Sequence, residues 1–126
     1  MAKRSFKLAF SYDDTPPSFN EVGHTGNRWT WTKAEKQWRE TFEMLLMSTG
    51  FPREWDQITA VVRLRFPTKR RRDEGNYRTL LEKALGDALV NGRWVEDDTP
   101  DHFVFERVHF EQQLGKAQTT IELEAK

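Results

Sequence analysis

Ile58-Thr59-Ala60-Val61-Val62-Arg63-Leu64-Arg65-Phe66 runs into Pro67 and a basic stretch. Asn76-Tyr77-Arg78-Thr79-Leu80-Leu81-Glu82-Lys83-Ala84-Leu85-Gly86-Asp87-Ala88-Leu89-Val90 follows. The first run alternates. Ile58, Ala60, Val62, Leu64 and Phe66 share one side, and Thr59, Val61, Arg63 and Arg65 share the other, which predicts a strand with one core face and a basic outer face. Pro67 ends it. In the second run the apolar spacing changes to three and four: at 100° per residue Tyr77, Leu81, Ala84, Leu85, Ala88 and Leu89 form one stripe. That predicts a helix from about Asn76 to Val90, closed by Asn91-Gly92, with its stripe on a sheet. Asn76, Lys83 and Asp87 fall in a narrow arc on the far side, beside Leu80.

Upstream, Phe6, Leu8, Phe10 and Tyr12 alternate as a half-buried strand. Asp13 to Trp31 carries Pro16-Pro17-Ser18, Gly23 and Gly26 and reads as a long loop. Thr32-Lys33-Ala34-Glu35 has the pattern of a capping box. It would open a helix to about Thr49, with Ala34, Trp38, Phe42, Leu45 and Leu46 at helical spacing and Gly50 and Pro52 as the stop. Downstream come a turn at Glu96-Asp97-Asp98, a strand near Phe103–Phe110 and a last strand near Thr119–Leu123. The order β-α-β-α-β-β predicts one domain over residues 1–126, of α/β (α+β) class, with a mixed sheet and two main helices.

Composition sets the bounds. A chain of 126 residues is long enough for one ordinary domain, and nine Phe and five Trp can build its core. A charged fraction of 32% and a mean hydropathy of -0.83 fit a soluble domain. The absence of Cys excludes thiolate metal sites, disulfides and cysteine nucleophiles. No apolar run is long enough for a signal peptide or a membrane span, so a cytoplasmic protein is expected. The formal net charge is zero but unevenly spread. Arg63, Arg65, Lys69, Arg70, Arg71 and Arg72 lie together without an acid, whereas from Glu96 onward acids outnumber bases, so a neutral molecule can still carry a local positive field.

The acids next to the helix carry the possible chemistry. Phosphodiester hydrolysis needs a nucleophilic water and a counter-charge for the anionic transition state. Clustered carboxylates supply both by holding Mg²⁺ or Mn²⁺, hard ions that favour oxygen ligands, and a nearby Lys adds positive charge. Asp73-Glu74 stands before the helix and Asp97-Asp98 after the turn that follows it; a returning strand could bring them together. Taken alone, each pair also reads as an ordinary feature, a favourable charge at a helix start or a plain turn. Lys69, Arg70, Arg71 and Arg72 beside the first pair are suited to forked contacts with a phosphate backbone. His24, His102 and His109 have no metal-ligand spacing. Trp29 and Trp31 are suited to stacking on an unpaired base, and more often such residues are core or dimer contacts.

Arg70-Arg71-Arg72-Asp73-Glu74-Gly75-Asn76, Lys83-Ala84-Leu85-Gly86-Asp87-Ala88-Leu89 and Gly92-Arg93-Trp94-Val95-Glu96-Asp97-Asp98 together resemble the RusA family of Holliday-junction resolvases, as does Pro16-Pro17-Ser18-Phe19-Asn20 upstream. The resemblance implies a homodimeric α/β fold and Mg²⁺-dependent (Mn²⁺ also possible) cleavage of four-way junctions or other branched DNA in bacterial or phage recombination and repair. It implies Asp73, Lys83 and Asp98 as catalytic, and Asp73, Glu74, Asp97 and Asp98 around the metal, with Asp98 preferred of the last pair. Asn76 and Asp87 would support the site, and Lys69 to Arg72 would hold DNA. Two departures stand out. Gly75 replaces the family's second Asp, and four additional residues separate Asn76 from Lys83, keeping Lys83 on the same face but moving it about 6 Å along the axis. Either the site is rebuilt around Glu74 or activity is lost. Two non-enzymatic readings remain beside this one: a branched-DNA-binding module on the same scaffold, and an interaction domain whose arginines meet an acidic partner.

Overall fold

The computed structural model describes residues 4–19 and 28–126, apart from the side chains of Arg28 and Trp29. Six elements follow the expected order: β1 (Phe6–Tyr12), α1 (Arg28–Ser48), β2 (Ile58–Arg65), α2 (Glu74–Asn91), β3 (Phe103–Phe110) and β4 (Gln118–Ala125). The strands form one mixed sheet in the order β1-β4-β2-β3. β4 is antiparallel to both β1 and β2, while β2 and β3, joined through α2, are parallel neighbours.

Alternation sets which face is covered. Ile58, Ala60, Val62 and Leu64 of β2 are wholly buried, as is Ile121 of β4, and Phe103, Phe105 and Val108 of β3 are nearly so. Both helices pack on this face and on one another, giving two layers around one core. The opposite face, with Lys7, Thr59, Val61, Glu122 and Glu124, is uncovered among the described residues. Its bases are largely neutralised. Arg63 pairs with Glu122 on the neighbouring strand, and Arg65 donates to the Lys116 carbonyl at 2.8 Å.

α1 begins earlier than the capping-box pattern indicates. It starts at Arg28, so Thr32 lies inside the helix and the last part of the expected Asp13–Trp31 loop is helical. Glu35 cannot reach back to cap, because its carboxyl is buried against α2. Asn20, Gly23, His24 and Gly26 lie outside the described residues. α1 stops where expected, with Gly50 at φ 70°, a left-handed backbone that glycine adopts without cost.

α2 matches the expected helix with two additional residues at its start and one at its end. Its end differs in mechanism. Gly92 keeps an ordinary φ of -85°, and Arg93 takes the left-handed conformation at φ 59°. Glycine is needed at 92 for space, since a Cβ there would lie 1.9 Å from the Trp94 ring. That ring is buried, stacks on Phe51 and donates to the Phe51 carbonyl at 3.0 Å, which fixes the turn leading to Asp97 and Asp98.

Candidate functional site

The β2–β3 pairing slips between Ala60 and Val61, a bulge in β3 at Glu106. A bulge leaves backbone groups unpaired, and β3 is an edge strand. α2 supplies the partners. Glu74 Oε1 accepts from the Val108 N–H at 2.9 Å, and Arg78, one turn on, donates to the carbonyls of Phe105 and Glu106 while lying 3.7 Å from Glu74. Glu74 therefore clamps the start of α2 to the sheet edge through one of its two carboxylate oxygens.

Asp73 occupies the N-cap position in an extended conformation, with its side chain making no capping bond and exposed to solvent. Asp98 lies elsewhere. Its Cβ is 3.5 Å from the point a Cβ on Gly86 would occupy, and Phe103 crowds the same point at 3.2 Å. Glycine at 86 thus lets the 98–103 segment lie close against the helix. Residues 73 and 86 are separated by about 20 Å along the axis at 1.5 Å per residue, so Asp73 and Asp98 cannot share one ion. Asp97 accepts from the Asp98 N–H at 2.8 Å and closes its own turn. The four acids expected around the metal are dispersed, and no group of three metal-ligating side chains is arranged for an ion among the described residues. The expected set does not fit Mg²⁺ or Mn²⁺.

A different set of acids surrounds Lys83. Its Nζ lies 3.2 Å from Asp87 Oδ1 and 3.1 Å from Asp87 Oδ2. Asp87 raises the lysine pKa above the ordinary range, with Glu35 and Asp98 adding to the effect. Lys83, Asp98, Arg78, Thr79 and Phe103 line an open trough of about 620 Å³, within the size range of ligand-binding clefts.

Glu35 stands behind Lys83. It is 6% exposed, its Oε1 is buried without a hydrogen-bond donor, and its Oε2 is 3.7 Å from Arg39. Burial, and then the Asp87 carboxyl, push its pKa above the usual carboxylate range. Sequence reading missed Glu35 by assigning it to a cap. The available signal was its angular position: at 100° per residue Glu35, Phe42 and Leu46 fall on one line of α1, so the acid sits within the buried stripe. Likewise the arc of Asn76, Lys83 and Asp87 does not simply face solvent, because Leu80 beside it is buried and the Asp87 side chain is largely covered.

The basic loop is only partly available. The Arg72 guanidinium stacks over the Phe66 ring at 3.7 Å and donates to the carbonyls of Thr68 and Arg70, so it orders the loop. Lys69, Arg70 and Arg71 are exposed, with no ion pair among the described residues. The arginine loop precedes the start of α2 and Lys83 lies near the middle of that helix, about 15 Å further along the axis at 1.5 Å per residue.

No protein-family model matches the chain, and no curated protein matches its sequence. No helix among the described residues is long and apolar enough to cross a membrane.

Proposed function

We propose that the chain is a structure-selective endodeoxyribonuclease acting on four-way junctions or other branched DNA, as a homodimer whose two sites address opposed strands of a near two-fold-symmetric junction. One observation carries the reading: Lys83 is held by Asp87 and lines an open trough together with Asp98, midway along the helix whose start adjoins the loop of Arg70 and Arg71. The spacing of about 15 Å corresponds to about four base-pair rises of 3.4 Å. The loop can hold the backbone while Lys83 meets a phosphate several nucleotides away. In that role the ammonium would stabilise charge on the phosphorus oxygens, and Arg70 and Arg71 would fix the register. The reading brings with it a requirement for Mg²⁺ or Mn²⁺, which Asp73 and Asp98 do not meet by sharing one ion.

A second reading has its own support. The separation of Asp73 from Asp98, together with Gly75, favours a module that binds branched DNA without cutting it. A labelled synthetic four-way junction and a matched duplex, each incubated with and without Mg²⁺, separate the two. Paired symmetric nicks in the junction alone support the enzyme. Retention of the junction without nicks leaves the binding module. Equal retention of junction and duplex at moderate salt removes both in favour of a protein-interaction domain.

A further inference from the structure

We propose that β1 is a self-pairing edge: two copies of the chain join their β1 strands antiparallel about Ala9 and merge their sheets into one of eight strands. The inference names a surface for the dimer, and it rests on that edge rather than on the nuclease reading. The sheet has two edges, β1 and β3, and only β3 is blocked. β3 carries the bulge at Glu106, and Glu74 and Arg78 occupy backbone groups along it. A bulge and a covering element are two ways in which a sheet edge is kept from pairing with another chain. β1 has neither. From Phe6 to Tyr12 its register with β4 is unbroken and no proline interrupts it. Among the described residues its backbone bonds to β4 alone, which leaves a row of N–H and C=O groups open as a template.

The occupant is a second copy because the strand complements itself. Full overlap of two seven-residue strands puts the two-fold axis at Ala9, the middle residue and the smallest side chain of the strand. Lys7 then stands opposite the partner's Ser11, and Phe6 opposite the partner's Tyr12. Charge agrees with this register. The stretch is basic at Arg4 and Lys7 and acidic at Asp13 and Asp14. Antiparallel pairing sets Lys7 diagonal to the partner's Asp13, within reach of a long side chain, whereas parallel pairing would set Lys7 beside Lys7. Both groups are exposed, and the Asp13 contact with Lys116 at 3.3 Å is a solvent-exposed pair that holds Asp13 only weakly. On the core side Phe6 is 39% exposed, and Leu8 and Tyr12 are half-buried. Pairing covers what remains open, Phe6 against the partner's Tyr12 and Leu8 against the partner's Phe10. Both helical layers then lie on one face of the joined sheet, with the two troughs toward its outer edges.

Sedimentation of the DNA-free protein tests the dimer, and cysteine cross-linking tests the register. The chain has no Cys, so one substitution supplies its only thiol. Directly opposed residues in an antiparallel pair have Cα atoms about 4.5–5.5 Å apart, inside the range a disulfide spans. Under mild oxidation the exposed Ala9→Cys should form a covalent dimer, while Gln112→Cys, exposed in the β3–β4 connection, should not. Lys7→Cys mixed with Ser11→Cys should link more than either alone. Lys7→Glu should weaken the wild-type dimer by about tenfold, because two attractions become repulsions, and Lys7→Glu with Asp13→Lys should restore it. Sedimentation of wild type needs no variant, so a misfolded variant does not decide the matter. A wild type that stays monomeric at high micromolar concentration would overturn the self-pairing, even if it captures an added strand-forming peptide. Cross-linking no faster at Ala9→Cys than at Gln112→Cys would overturn the edge, and no restoration by the folded charge reversal would overturn the register. A dimer linked at Ala9→Cys that leaves junctions uncut would keep this interface and lose the nuclease reading; nicking by a monomer would do the reverse.

Discussion

Glu35→Gln exchanges the buried carboxyl for an amide of the same shape and should make the metal-free protein more stable at neutral pH. In wild type Glu35 Oε1 has no donor, and a buried acceptor left unsatisfied costs about 1–3 kcal/mol. The Gln amide nitrogen can donate to Asp87. Against this the variant loses the Arg39 contact at 3.7 Å, an i,i+4 pair worth about 0.3–0.5 kcal/mol. The expected net gain is about 1 kcal/mol, or roughly 3–6 °C in Tm for a domain of this size. The gain should fade in acid. Glu35 has a folded-state pKa raised by burial and by Asp87, so the folded protein holds a proton that the unfolded chain releases. Stability therefore falls as pH rises from the unfolded glutamate value, about 4.3, through the folded one. Toward pH 4 the carboxyl is protonated in both states and donates much as Gln does. Thermal and urea unfolding with chelator at about pH 4 and about pH 7.5 measures the difference. A variant less stable than wild type at the higher pH, or a gap equal at both, would refute the reasoning.

Three further outcomes follow from the geometry. Gly92→Ala places a Cβ 1.9 Å from the buried Trp94 ring and should cost about 3 kcal/mol, the upper end of overpacking, seen as a fall in Tm and a red-shifted, quenched tryptophan emission. Lys83→Met removes a half-exposed i,i+4 pair worth under about 0.5 kcal/mol with little change in helix propensity. Its Tm should move by no more than about 3 °C while junction cleavage falls by about a hundredfold or more; cleavage unchanged at unchanged stability would take Lys83 out of the chemistry. Arg70→Ala with Arg71→Ala should lower the slope of log affinity against log salt by about 1.8, measured by anisotropy on a junction, whereas an unchanged slope would move the DNA interface away from this loop.

The fold was legible because its strands and its second helix announce themselves by period. Ile58 to Leu64 and Tyr77 to Leu89 bury the side chains their spacing assigns to the core. The start of α1 was not, because Thr32 and Glu35 mimic a cap while lying inside a longer helix. The site was less legible for a related reason. Spacing along one helix places Lys83 above Asp87, and the structure pairs them. It says nothing of α1 crossing that face with Glu35, nor of the 98–103 segment lying against Gly86 rather than reaching Asp73. Those are long-range contacts set by packing. The arginine run misled in part, since Arg63 and Arg65 find partners across the sheet and Arg72 finds one in Phe66.

Cutting of a labelled four-way junction in Mn²⁺ by wild type, Asp73→Asn, Asp98→Asn and Lys83→Met tests most directly whether chemistry gathers at Lys83 rather than at the start of its helix. Symmetric nicks should persist in Asp73→Asn and fail in Asp98→Asn and Lys83→Met. Nicks abolished by Asp73→Asn and retained by the other two would contradict the account.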